Sequence, residues 1–406
     1  MARSALLVRA SLAATTAAAL ALTGLVTAPP GTAAGGTFTQ TTGITINDAA
    51  AASPYPSNIT VSGLPRGITD LNVTLSSLDH TFPDNVDVML VGPTGQSVIL
   101  MSDVGGGDDV SGVNLTLDDQ AAASLPNSSL LTSGSFKPTD GNPSPDAFTA
   151  PAPNAALAAN TMSAFNTTNP NGTWQLFVMD DAAPNTGDFS GGWSMQITTA
   201  DVPAAPVFTA PAVSPSTDRD GDFILAGTAQ VASTVKVFEG TTQVGSATAT
   251  GGSWAVAVVD VPDGAHSYTA TATDAFGNVS ASSAARIVVV DSVHPRVVRT
   301  RPGAGADEVR RDRNVRARFS EAMRPATLNA RNVRLINTDT GDTVRARRTY
   351  RPATHSVVIN PRQDLAPDTR YKVVIRTAVK DVAGNRLDQR PARTGNQPKI
   401  FRFTTR

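Results

Sequence analysis

The sequence predicts an all-β protein made of more than one sandwich, and three observations carry that prediction. Apolar residues recur at every second position in short runs, the period of a half-buried strand. Twenty-eight prolines and 32 glycines interrupt those runs with turns and leave no helical heptads. At 406 residues, 40% hydrophobic and 17% charged, the chain is too long for one core and too apolar for disorder, so about two to four domains are expected. The complete lack of cysteine excludes disulfide frameworks, thiolate-held zinc, iron–sulfur clusters and cysteine nucleophiles.

The chain opens with Arg3 and Arg9, an apolar stretch from Ser11 to Val26, then Pro29, Pro30 and Thr32-Ala33-Ala34. That pattern is a secretory signal peptide over residues 1–34, cleaved after Ala34. No later run reaches spanning length and no sorting signal closes the chain, so a secreted protein, extracellular or loosely held at the envelope, is expected. The net charge of −1 hides a polarised sequence. Residues 35–201 carry sixteen Asp and no Glu against Arg66 and Lys137, a net −14. Residues 202–291 sum to −5, and residues 292–406 carry 26 Arg and Lys against ten acids, a net +16. The two ends should meet different partners or attract one another.

In residues 35–200, alternation marks strands at Asn58–Ser62, Leu71–Leu75, Val86–Val91, Ser97–Met101, Val113–Leu117, Trp174–Met179 and Trp193–Thr198. Gly92-Pro93-Thr94-Gly95 joins two of them as a tight hairpin. Thr132 to Ala159, rich in Pro, Asn, Ala and Gly, is expected to be a long surface loop. Gly63-Leu64-Pro65, the run from Leu78-Asp79-His80-Thr81-Phe82-Pro83 through Asn85 to Gly95, and Asn171-Gly172-Thr173-Trp174 through Asp180-Asp181 to Gly192-Trp193 resemble the P/Homo B domain of subtilisin-like proprotein convertases over residues 40–200. The resemblance implies an eight-stranded jelly roll that usually follows a subtilisin-type catalytic domain, and no such domain precedes it here.

A Pro/Ala linker is expected over residues 201–216. The module at 217–291 alternates through Phe223–Ala226, Val235–Phe238, Trp254–Val259, Tyr268–Thr273 and Arg286–Val290, with Trp254 as its core anchor. Its Asp274-Ala275-Phe276-Gly277-Asn278 turn resembles that of bacterial Ig-like domains. The module at 292–406 repeats the turn as Asp381-Val382-Ala383-Gly384-Asn385, and its Ala317-Arg318-Phe319, Asp368-Thr369-Arg370-Tyr371 and closing Phe401-Arg402-Phe403 are similar to the SbsA-like Ig-like domains of surface-layer proteins. The predicted architecture is an antiparallel jelly roll followed by two Ig-like β-sandwich domains.

Catalysis is not expected. The four histidines, His80, His266, His294 and His355, are spread over three modules outside any serine-protease context. A single Asp339-Thr340-Gly341 is a hairpin turn, since aspartic proteolysis needs two such carboxylates. GxGxxG and HExxH are absent. Carboxylate spacing alone leaves a carbohydrate-active enzyme open.

Asp-rich strand ends suit calcium, which takes six to eight hard oxygens on flexible loops. The candidate ligands are Asp103 and Asp108 in one loop, and Asp180, Asp181 and Asp188 in another. Asp218 to Asp222 is a polar turn, because its glycine is displaced from the EF-hand position. In the last module Arg316, Arg318, Arg345, Arg347, Lys372 and Arg376 alternate with apolar residues, so an exposed cationic sheet is expected. It would hold an anionic cell-wall polymer, or else neutralise the acidic first module. Only Tyr350 and Tyr371 could stack on bases, which argues against sequence-specific nucleic-acid binding. The expected function is an exported, non-catalytic scaffold for an extracellular protein or glycan. The alternative is an accessory partner of a separately encoded subtilisin-like serine endopeptidase.

Overall fold

A computed structural model describes residues 34–142 and 146–406. The expected signal peptide lies, Ala34 apart, outside the described residues. Strands dominate, and the helical segments among the described residues are 3-10 turns of three or four residues. The all-β prediction therefore holds. No helix there is long and apolar enough to cross a membrane.

Residues 35–199 fold into two packed sheets. One is built on the long strand Ile68–His80, flanked by Trp193–Thr199 and Gly187–Phe189 and joined also by Val110–Leu117. The other runs Ser57–Val61, Gly172–Asp180, Val86–Val91, Ser97–Ser102, Thr139–Asp140. Trp174 and Trp193 are fully buried between them, and each indole N–H has an acceptor, the Pro170 carbonyl at 2.9 Å and Ser57 Oγ at 3.0 Å. Gly95 N–H to Gly92 O, 3.0 Å, closes the expected hairpin. More strands form than the eight that the resemblance implies.

The surface-loop expectation for Thr132 to Ala159 needs correction. Gly134–Phe136 and Thr139–Asp140 add parallel edge strands to the two sheets. Phe148, Ala152, Ala155 and Ala158 cover Met89, Val91, Ile99 and Phe177, which form a second small core on the outer side of the sheet. This cover is why Val86–Val91 and Ser97–Ser102 are buried at every position instead of alternating.

The second module pairs a three-stranded sheet, Val207–Ala210, Phe223–Thr228, Ser253–Val258, with a five-stranded one containing Arg286–Val290, Gly264–Thr273 and Thr234–Glu239. Trp254 anchors its core as expected, edge-on to Phe208 at 5.3 Å. Phe208 lies inside the expected linker 201–216, yet packs in the second core. The Ala/Pro composition of that segment conceals the strand Val207–Ala210. The third module sets Val297–Arg301, Val315–Phe319, Ser356–Pro361, Ala346–Arg351 against Ala306–Val309, Lys399–Thr405, Arg370–Ile375, Val333–Asn337. Phe319, Phe401, Phe403 and Tyr371 fill its core.

Both module boundaries are tied by the repeated turns. Asn278 accepts the Arg66 N–H at 2.7 Å and donates to the Arg66 carbonyl at 3.0 Å, and Phe276 lies over Gly67. A Cβ on Gly67 would meet the Phe276 ring at 2.7 Å, and its φ is +84°. In the last module Asn385 donates to the Asp291 carbonyl at 2.5 Å.

Candidate metal centre and basic face

Sheet register brings the acidic strand ends of the first module together. Asp180 pairs with Val86, Met179 with Asp87, and Ser102 with Asp140, so all these ends lie at one edge of the second sheet. Asp181 N–H reaches the Asn85 carbonyl at 3.1 Å, and Gly141 N–H the Ser102 carbonyl at 2.8 Å. A Cβ on Gly141 would stand 2.0 Å from the Asp103 carbonyl oxygen, so only glycine lets these loops approach so closely.

The result is a mutually repelling group of Asp84, Asp87, Asp103, Asp140, Asp146 and Asp181. Burial comes first among the causes that raise Asp84, Asp87, Asp140, Asp146 and Asp181 above the usual carboxylate range, with neighbouring carboxylates adding to it. Asp87 is pushed up to about 9, by burial and then by Asp146 and Asp181. It is 1% exposed and its Oδ2 has no hydrogen-bond partner. The Ser102 hydroxyl donates to Asp146 at 2.9 Å. Among the described residues no Lys or Arg forms an ion pair with any member. An all-oxygen set with a buried orphan acceptor has the donor types a hard divalent cation takes, although among the described residues no three of these carboxylates bring an oxygen each within 4.8 Å of one another.

The structure divides the five sequence candidates. Asp103 and Asp181 belong to this group. Asp180 adjoins the group and helps to raise Asp181, but its own carboxylate is engaged elsewhere: it is fully buried, its Oδ1 accepts the N–H groups of Ala49 and Ala182, and its Oδ2 faces His80 Nε2 at 3.1 Å. His80 Nδ1 accepts the Phe82 N–H, which leaves the proton of the neutral ring on Nε2. Asp188 sits within the strand Gly187–Phe189 of the other sheet, opposite Asp79 and Thr45, and Asp108 is exposed on the glycine turn. The sequence reading missed Asp84, Asp87, Asp140 and Asp146. Asp87 had a signal, a lone charge between Val86 and Val88 in an apolar strand. Asp218 holds the Asp220 and Gly221 N–H groups, the polar turn expected there.

The basic residues also separate. Arg316, Arg318 and Arg347 belong to one sheet, whereas Lys372 belongs to the other, with Arg376 one residue beyond the end of the same strand. Arg345 precedes the strand Ala346–Arg351 and borders a different hollow with Arg362 and Tyr371. A single cationic face of all six is thus corrected to two faces of the sandwich. On the first, Arg318 is opposite Arg299 and Arg316 opposite Arg301, two residues that the alternation missed. These four arginines line a cavity of about 260 Å³ with Thr300, Ala353 and Thr354, and Arg351 adjoins it. None of the four makes an ion pair among the described residues.

Comparison with known families assigns the second half of the chain. Residues 217–292 and 291–405 each match a family model described as a bacterial Ig-like domain. Two bacterial Ig-like domains therefore occupy residues 217–405. Domains of this family are typical of extracellular proteins. No curated protein matches the chain. Among solved structures, CopC from Methylosinus trichosporium OB3b is 18% identical, covering 28% of this chain and 93% of its own, with a TM-score of 0.22. Fibronectin(III)-like modules of CbhA from Clostridium thermocellum are 14% identical over 50% and 94%, TM-score 0.27. The Aeromonas sobria serine protease–chaperone complex is 16% identical over 43% and 28%, TM-score 0.24. Scores this low decide nothing about function.

Proposed function

We infer that this is an exported, non-catalytic scaffold whose last Ig-like domain holds an anionic polymer of the cell exterior. The observation that carries this reading is the cavity of Arg299, Arg301, Arg316 and Arg318, four guanidinium groups facing solvent without an ion-pair partner among the described residues. Uncompensated arginines on a rigid sheet present fixed donors to phosphate or carboxylate groups. The two Ig-like domains support an extracellular, binding or structural role. The jelly roll is the outward interaction module in this reading, in line with its likeness to the P/Homo B domain, and calcium held by the strand-end carboxylates stabilises it.

The test is co-sedimentation of residues 35–406 with cell-wall fragments carrying anionic polymer. Binding at low salt that is lost at high salt, and lost in the Arg299, Arg316, Arg318→Ser triple variant, is expected. Binding that ignores both salt and the triple substitution overturns the reading.

A further inference from the structure

The repeated turn is completed differently in the two Ig-like domains, and the difference exposes a site that the sequence reading did not contain. In the first copy, Asp274 Oδ1 accepts the N–H groups of Phe276 and Asn278, at 2.9 and 2.8 Å, and Oδ2 accepts from the Asn278 side chain at 2.9 Å. Both carboxylate oxygens are satisfied within the turn. In the second copy, Asp381 Oδ1 again takes two turn N–H groups, from Gly384 at 2.6 Å and Asn385 at 2.8 Å. There the Asn385 amide donates to the Asp291 carbonyl, and although Asn385 lies beside Asp381, Asp381 Oδ2 accepts no hydrogen bond of good geometry while the residue is only 1% exposed. A buried carboxylate oxygen without a donor is costly, and in native structures such an atom usually marks a missing ion or water.

Beside the Asp381 carboxylate stand two more carboxylates. One ligand oxygen from each of Asp291, Glu321 and Asp381 lies within 4.8 Å of the others. The three come from separate parts of the chain. Asp291 directly follows the last strand of the second module, Arg286–Val290, at the point where the two matched domains meet. Glu321 follows the strand Val315–Phe319, and the bridge between Met323 and Asp381 holds its loop beside the turn. No Lys or Arg forms an ion pair with any of them among the described residues.

We propose that Asp291, Glu321 and Asp381 bind one hard divalent cation, calcium by its preference for flexible oxygen sites, and that the ion fixes the third module on the second. Three carboxylates and no nitrogen or sulfur exclude a soft-metal preference. Asp291 and Glu321 are partly exposed, which leaves room for water to complete the coordination. The site joins the domain junction to two loops of the third module, so its occupancy sets how freely that junction bends. The inference is independent of the polyanion reading.

The experiment uses residues 35–406 with spin labels at Gln243→Cys and Ala330→Cys, exposed positions in the second and third modules of a chain with no native cysteine. Electron–electron distances are measured without metal, with calcium at about 1 mM, and with calcium in Glu321→Gln and Asp381→Asn. Calcium is expected to narrow the distance distribution of the parent, and the narrowing is lost in both variants. A titration followed by the same signal should show affinity falling about tenfold or more in Glu321→Gln, because ligand charge sets calcium affinity. Calcium bound by the first module leaves these labels unmoved, so the two acidic groups are distinguished. No narrowing in the parent overturns the proposal, as does undiminished narrowing in Glu321→Gln.

Discussion

At the residue scale, Asp87 carries the sharpest consequence. Its folded pKa of about 9 lies far above the ordinary value of about 3.9 expected in the unfolded chain. The folded state therefore keeps a proton that the unfolded state releases, and the sign follows: this contribution is complete below about pH 4 and is lost as pH rises towards 9. In metal-free buffer the melting temperature of the first module should fall between pH 5 and pH 9, and Asp87→Asn should flatten that slope and raise stability at the alkaline end. Thermal melts across pH in a chelator check this, and an unchanged slope in Asp87→Asn would remove Asp87 as its source. Trp254 makes a contrasting case, an apolar anchor stacked edge-on against Phe208 and 3% exposed. Trp254→Ala should cost the second module about 3–5 kcal/mol, measured by denaturant unfolding. The two residues differ in how they could be read. Trp254 is legible because burial follows from alternation alone, whereas the role of Asp87 depends on Asp146 and Asp181, brought to it by register and loop closure.

At the scale of elements, the alternating strands and the turns were visible in the sequence, whereas the short edge strands Gly134–Phe136, Thr139–Asp140 and Val207–Ala210 and the docking of the elements were not. Gly92 to Gly95, Asp339 to Asp342 and both D-x-x-G-N turns act locally, and local chemistry specifies them. Asn278 shows where that stops, because its partner is the backbone of Arg66, 212 residues earlier. The segment 132–159 failed for a similar reason: its composition is that of a loop, and only the apolar outer face of a sheet makes Phe148 and the alanines a cover. The acidic edge is a product of register too, so Asp103 and Asp181 could be guessed and Asp84, Asp140 and Asp146 could not. The junction itself is testable. Asn278→Ala removes the two hydrogen bonds to Arg66, together about 1–3 kcal/mol, and one to Asp274 within the turn, and Gly67→Val drives a side chain into Phe276. Either should uncouple the first two modules, so that calorimetry resolves separate transitions where the parent shows them merged. Identical calorimetric profiles would mean that the turn contributes no coupling.

For the whole molecule the decisive quantity is the separation of charge along the chain, −14 over residues 35–201 and +16 over residues 292–406. Intramolecular neutralisation would need ion pairs between the first and third modules. Among the described residues the ion pairs are local, with Arg310–Asp312 and Arg219–Asp220 each inside one turn and His80–Asp180 and His266–Glu239 each inside one module. The second module stands between the charged ends, tied to the first through Asn278 and to the third through Asn385. A molecule arranged in this way can satisfy its poles by pairing head to tail with another copy, an interaction that weakens once the Debye length drops below about 10 Å near 0.1 M salt. Light scattering should therefore give a mass above that of the monomer at low ionic strength and the monomer mass at about 0.3 M salt. Replacing Arg299, Arg316 and Arg318 by Ser should reduce the low-salt association, since it removes cations from the face that has no internal partner. A single monomeric mass at every salt would show that the opposed charges are too diffuse to join copies, and would leave external polymer as the partner of the basic face.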